Sequence, residues 1–283
     1  MTLVDQRTIG THIMTNLALH HFTIVDASVT ELIDIAATLE CHQVCVFVDE
    51  DVSTAAVSFP CITPTNVKTV CQQLKDTGVT VTNIEYFPLT DTIDRDLLKL
   101  KLELGAQLGA RLAVTHIHDP EPARATAHLA ELCEMALSHG LEIGLEFMGL
   151  TPANANLESA CAFVAAANQP NLGVAIDALH LHRTGGSVSQ LAAVDPTLIA
   201  YVQLCDGLLD PPLLEDMEAY RQEAFERMLP GDGEMPLAPL IQTCPENTWF
   251  DVEAPRPSLA KTVPALERAR QALTAARHLL TES

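Results

Sequence analysis

The sequence predicts an α/β fold of the (β/α)8 TIM-barrel type, with eight parallel strands closed on one another. Three observations lead there. Short apolar runs alternate with longer segments of helical periodicity along the chain, an order that favours parallel strands covered on both faces. Eight such units fit 283 residues, a usual size for one closed barrel. Four late strand candidates end on a carboxylate or an amide, and a barrel collects the ends of all its strands at one rim. The chain is therefore read as one domain over residues 1–283. A doubly wound open sheet is the rival architecture, because linear order alone does not show closure.

In chain order, the first strand candidate is Asn16–His20, followed by a helix over Val29–Leu39. Ser28 or Thr30 can cap that helix, and Leu32, Ile35 and Leu39 share one face. Strand Gln43–Val48 precedes a helix over Pro64–Asp76, with Pro64 suited to a first turn. After strand Val79–Phe87 comes the ambiguous run LLKLKLEL, residues 97–104. It alternates like a strand, but a crossover is required before the next parallel strand, so it is assigned to a helix over Asp94–Leu108. Strand Leu112–His116 is followed by helix Pro122–His139, and strand Glu142–Phe147 by helix Leu157–Ala167. Asn171-Leu172-Gly173 marks a turn into strand Leu172–Asp177, followed by a helix over Val188–Val194. Strand Ile199–Leu204 leads into a long excursion, about 206–236. Met217 to Met228 reads as a short helix within it, and Pro230-Gly231-Asp232-Gly233 as a turn. Long insertions at such points are commonly functional loops or lids, with an oligomer contact as the plainer role. Helix Leu237–Gln242, strand Thr248–Glu253 and helix Leu259–Leu280 complete the pattern.

Composition narrows the function. Hydrophobic residues make up 48% and charged residues 19%, enough for a large core; aromatics are only 4%, so that core must rely on aliphatic side chains. The formal charge of −21 repels phosphate backbones and anionic membranes, and the 16 Lys and Arg form no patch, so neither nucleic acid nor membrane is expected as a partner. No apolar run approaches the roughly 20 residues needed to span a bilayer. The eight cysteines form no CxxC pair, and MTLVDQRTIG lacks a signal-peptide pattern. Buried free thiols in a cytoplasmic protein are expected.

The strand ends carry the chemistry. LEIGLEF contains Glu146, LGVAID ends at Asp177, IAYVQL carries Gln203 and TWFDVE ends at Glu253. On a barrel these four meet at one rim. Three carboxylates and an amide oxygen form a hard donor set suited to Mg²⁺ or Mn²⁺. Without a cation, carboxylates so close would repel and take up protons. Taken singly, an acidic strand end is an ordinary helix cap or ion-pair partner, and Gln203 has hydrogen bonding to substrate as its rival role.

The motifs GLEFMG (144–149), NLGVAIDALHLHRTGG (171–186), YVQLCDG (201–207), RMLPGDGEMPL (227–237) and FDVEAPRP (250–257) resemble those of the xylose isomerase-like sugar phosphate isomerase/epimerase superfamily. The resemblance is specific from Gly144 to Pro257; before that only the periodicity matches. It implies a (β/α)8 barrel that binds Mn²⁺, Mg²⁺, Co²⁺ or Zn²⁺ through Glu146, Asp177, Gln203 and Glu253. Many members have histidine where this chain has Gln203, a departure that weakens a zinc assignment. His180 matches a family histidine that helps hold substrate, with a hydrogen bond to a metal-binding carboxylate as its alternative role. Glu146 and Glu253 are implied as the catalytic pair for proton transfer beside a carbonyl. The substrate is then a small sugar, keto-polyol or related hydroxy-carbonyl compound, processed through an enediolate, and a homo-oligomer is expected. Glu85, His116, His118, Arg227 and Arg256 are further rim candidates, the two arginines for a substrate carboxylate or phosphate. His182 and Arg183 also fall near the rim. Isomerisation or epimerisation leads this reading. A metal-dependent dehydratase or lyase, acting on an inosose or 3-dehydroshikimate, is the runner-up. A non-catalytic sugar-binding barrel is an alternative of another class, and an endonuclease IV-like enzyme is disfavoured by the charge. No P-loop, GxGxxG after a strand, GxSxG or HExxH is found.

Overall fold

The computed structural model describes residues 16–49, 59–210 and 216–283. Its strands are β1 (Leu17–His20), β2 (Gln43–Phe47), β3 (Thr80–Leu89), β4 (Leu112–Ile117), β5 (Glu142–Glu146), β6 (Leu172–Asp177), β7 (Ile199–Leu204) and β8 (Phe250–Val252). They form a closed barrel in that order, β8 pairing in parallel with β1. Closure excludes the doubly wound alternative.

The helices are α1 (Val29–Thr38), α2 (Val67–Thr77), α3 (Arg95–Leu108), α4 (Pro122–Ser138), α5 (Leu157–Ala167), α6 (Ala178–Arg183), α7 (Val188–Leu191), α8 (Met217–Phe225), α9 (Leu237–Thr243) and α10 (Ala265–Glu282). Ser28 caps α1 in a capping box with Glu31, and the ambiguous LLKLKLEL run is helical in α3 behind the Asp94 cap. Several boundaries differ from expectation, two of them at prolines. Pro64 lies in a turn ahead of α2, closed by the Thr63 amide donating to Asn66 Oδ1, so the helix begins at Val67. The last helix begins at Ala265 because Pro264 disfavours a helical Val263 before it. Helix α6 was not foreseen; it follows β6 directly, with Asp177 as its N-cap. Residues 211–215 of the predicted excursion lie outside the described residues.

Strand alternation sorts the side chains. Ile143, Leu145, Val174, Ile176, Val202, Leu204, Phe250 and Val252 belong to the main core beneath the helices. Ala175 and Tyr201, on the opposite parity, join Leu112 and Val114 in a separate cluster inside the barrel. Gly144 makes room for this inner cluster: a Cβ there would meet Leu112 at 3.2 Å and Tyr201 at 3.4 Å. Continuing the inner parity by two residues leads from Gly144 to Glu146, from Ala175 to Asp177, from Tyr201 to Gln203 and from Asp251 to Glu253. The fold thereby turns acidic strand ends into one inward-facing set.

Candidate active site

The rim residues surround a cavity of about 380 Å³ at the strand C-termini. Glu85, His116, Glu146, His180, Arg227 and Glu253 line its polar side. A void at the opposite end, beside Asn83, Tyr201 and Asp251, measures only about 20 Å³, room for little more than a water molecule.

Asp177 is fully buried and makes two kinds of contact. Its Oδ1 accepts the His180 amide at 2.8 Å, and its Oδ2 accepts Arg227 Nη1 at 2.5 Å. The same Nη1 lies 3.4 Å from Glu253 Oε2 and 3.3 Å from the Glu253 carbonyl, so one guanidinium joins two strand ends. Burial alone would raise the Asp177 pKa, but Arg227 and His180 outweigh it and hold the carboxyl below its usual range. Glu253 goes the other way: burial pushes its carboxyl well above the usual range despite Arg227 and His20. Two neighbouring carboxyls thus titrate apart, the condition under which one stays ionised and the other carries a proton.

Glu146 accepts from or donates to His116 Nε2 across 3.0 Å, according to which of the two holds the proton, and lies 3.7 Å from His180 Nε2. Burial lowers the His116 pKa, and Glu146 more than offsets that. Burial lowers the His180 pKa and leaves its ring neutral. His180 Nδ1 sits 2.7 Å from the Tyr220 hydroxyl, which also accepts the Gly149 amide. Asn154 donates to the Glu146 carbonyl and fixes the end of β5.

Glu146, Asp177 and His180 offer ligand atoms within 4.8 Å of one another. Gln203, opposite Asp177 in the β6–β7 register, is wholly buried, and neither amide atom is hydrogen-bonded among the described residues. A buried amide without a partner is costly, and it is expected to meet a group that the protein itself does not supply. Carboxylates with an amide oxygen suit a hard divalent ion, so these residues fit one. His20, Cys45 and Asp251 also cluster, but less suitably. His20 Nδ1 accepts the Phe22 amide, which leaves the ring proton on Nε2, 3.0 Å from Glu85 Oε1. Burial lowers the His20 pKa, yet Glu85 and Glu253 pull it up to about 10. The amide contact is the more specific constraint and favours the neutral ring; in either form Nε2 carries a proton and is no metal ligand.

The structure brings Glu85, His116, His118, Glu146, His180, Arg227 and Glu253 to one cavity; Asp177 and Gln203, side by side on β6 and β7, are fully buried and lie off its lining. Arg227 is held by protein carboxylates, and Arg256 donates to Gln271 Oε1 on α10 away from the cavity lining. Arg183 pairs with Glu223 and the Leu208 carbonyl, and His182 is absent from the lining. Sequence reasoning missed His20, Tyr220, Asn154 and a wall of phenylalanines. His20 ends β1 and was open to the same strand-end rule; Tyr220 and the wall carried no local signal.

A family model described as a xylose isomerase-like TIM barrel matches residues 33–280. Inosose isomerase of Bacillus subtilis (strain 168) is 28% identical over 125 residues, 44% of this chain and 42% of that protein, so the match spans less than half of the relative's length. IOLI protein, crystallised with a zinc atom, superposes at a TM-score of 0.76 with 18% identity, over 94% of this chain and 98% of that one. D-allulose 3-epimerase from Methylomonas sp. superposes at 0.67 with 14% identity, over 93% and 97%. The two structural likenesses show the shared fold.

Proposed function

Given that the chain belongs to the xylose isomerase-like TIM-barrel family, we propose that it is a divalent-metal-dependent isomerase or epimerase of a small hydroxy-carbonyl compound. The observation that carries this reading is the meeting of Glu146, Asp177 and Glu253, from three separate strands, beside the partnerless amide of Gln203. Glu146, Asp177, Gln203 and Glu253 would hold the metal, which when bound polarises the substrate carbonyl and hydroxyl oxygens.

The chain's own groups supply the proton chemistry. Glu253, its carboxyl made more basic by burial, is suited when ionised to take a proton from carbon and to return it. Glu146 faces the same cavity and shares a hydrogen bond with His116, so the pair can exchange a proton with a substrate oxygen. Neutral His180, positioned by Tyr220, holds a substrate hydroxyl. Arg227 keeps Asp177 ionised while Glu253 changes charge. Return of the proton to the opposite face of the same carbon gives an epimer; return to the neighbouring carbon gives the isomer.

The test is exchange of carbon-bound protons. The Mn²⁺-loaded protein is incubated in D₂O with an inosose and with D-allulose, and NMR follows each C–H signal. Loss of the signal beside the carbonyl is expected, and Glu253→Gln should slow it by roughly 10²–10⁴-fold. Full exchange by Glu253→Gln removes Glu253 from proton transfer. Growth of a dehydrated product instead assigns the lyase reaction.

A further inference from the structure

We infer that the substrate carries a ring-sized apolar substituent, seated against a phenylalanine wall on the β1–β2 side of the cavity. This deepens the proposed function and rests on it. The chain has eight phenylalanines, and Phe22, Phe47, Phe59 and Phe225 all line this one cavity. They arrive from four places: the turn after β1, the end of β2, the segment beyond β2, and the last residue of α8. The rings form one connected row, with Phe225 to Phe22 at 5.1 Å, Phe22 to Phe59 at 5.4 Å and Phe59 to Phe47 at 5.4 Å.

The barrel does not need this row for its core. Phe22 and Phe47 form, with Cys61, a hydrophobic cluster separate from the main one. Phe225 remains 42% exposed, among the few large apolar side chains of the described residues that do. In a chain with 4% aromatic residues, half of the phenylalanines are therefore spent on a surface that faces a cavity. Apolar surface lining a concave site is covered when its ligand binds, and that burial provides affinity while the few polar groups fix orientation. Phe22 and Phe47 are already buried, so a substrate made only of hydroxylated carbons would leave the open part of the wall, Phe59 and Phe225, wet and would strip water from its own hydroxyls on the same side. A hydroxy-carbonyl head against Glu146, His180 and Glu253, with an aryl or bulky alkyl substituent against the phenylalanines, satisfies both halves.

The probes are D-fructose and 6-O-benzyl-D-fructose, which differ in the apolar group and in the 6-hydroxyl it replaces. Both are titrated calorimetrically into the Mn²⁺-loaded full chain, and their C–H exchange in D₂O is followed in parallel. The ether should bind roughly tenfold or more tightly than D-fructose, as burial of one phenyl-sized group gives. Phe225→Ser with Phe59→Ser should reduce that preference to about twofold or less, and Phe225→Leu, which keeps an apolar wall, should retain most of it. An ether that binds no more tightly than D-fructose to the wild-type chain overturns the inference. Tight ether binding without exchange of either sugar's protons leaves the wall assigned and overturns the enzymatic reading instead.

Discussion

Arg227 Nη1 stands between Asp177 and Glu253, in the space where carboxylates of this arrangement would share a divalent ion. A buried guanidinium is a fixed counter-charge, and its removal leaves the ionised Asp177 unpaired beside Glu253 in a medium of low dielectric. Arg227→Met should therefore destabilise the metal-free protein by about 3–5 kcal/mol, and added Mn²⁺ should raise its melting temperature more than that of the wild type. Equal shifts for the two proteins would show that Arg227 and the metal do not share these carboxylates. Gln203 belongs to the same balance, since its amide has no hydrogen-bond partner among the described residues. His21 is a different residue-scale case. Its Nε2 donates to the Ala27 carbonyl, and burial lowers its pKa to about 4. Because the folded ring is less basic than the unfolded one, the unfolded chain binds more protons between about pH 6.5 and 4. The contribution of neutral His21 is complete above that window and is lost as pH falls through it, by up to about 3 kcal/mol. In His21→Gln the acid limb of a denaturant-melt pH series should flatten by that amount; an unchanged limb would place the acid sensitivity elsewhere.

At the scale of elements, helix α8 ties the excursion to the chemistry. Tyr220 reaches from it to His180 Nδ1 and accepts the Gly149 amide, while Ala224 and Phe225 line the cavity. Tyr220→Phe leaves that amide and that imidazole nitrogen without a partner, a loss of about 1–3 kcal/mol in stability by denaturant melts. It should also slow substrate proton exchange, because His180 loses its anchor. Unchanged stability and exchange would reduce α8 to a decorative insertion. The strand assignments were legible because period-2 alternation and helix-length spacing are local properties. Glu146, Asp177 and Glu253 stood out because each ends an apolar run, so barrel closure alone is enough to convert their positions into proximity. The phenylalanine row was not legible, since Phe22, Phe47, Phe59 and Phe225 each read as an isolated apolar residue until four segments converge. Helix α6 was hidden for a related reason: an acidic strand end can be a helix cap, as Asp177 is, but six residues directly after a strand are too few to show a helical period. Arg256 shows the reverse error, a charge near a rim motif that folds onto Gln271 instead.

Across the whole molecule, the balance of 37 acidic against 16 basic residues leaves the folded surface strongly negative. Some of those few cations are not on the surface at all: Lys101, Arg183, Arg227 and Arg268 are buried and paired with Asp49, Glu223, Asp177 and Asp26. Each such pair is neutral, so the net charge of −21 resides in the remaining, mostly exposed residues. Self-repulsion then opposes the compact barrel, and its reach is set by salt: the screening length shrinks from about 30 Å at 0.01 M to about 10 Å at 0.1 M. Raising KCl from about 10 to 200 mM should therefore increase the melting temperature by roughly 2–4 °C, about 1 kcal/mol for a chain of this size. The same screening should slow Mn²⁺ capture, because the negative field that strains the fold also concentrates divalent cations near the cavity. A melting temperature that stays level or falls over this range would mean that local pairing, rather than net charge, governs the electrostatics of the barrel. Capture that does not slow would mean that the ion is recruited only by the buried carboxylates at the rim.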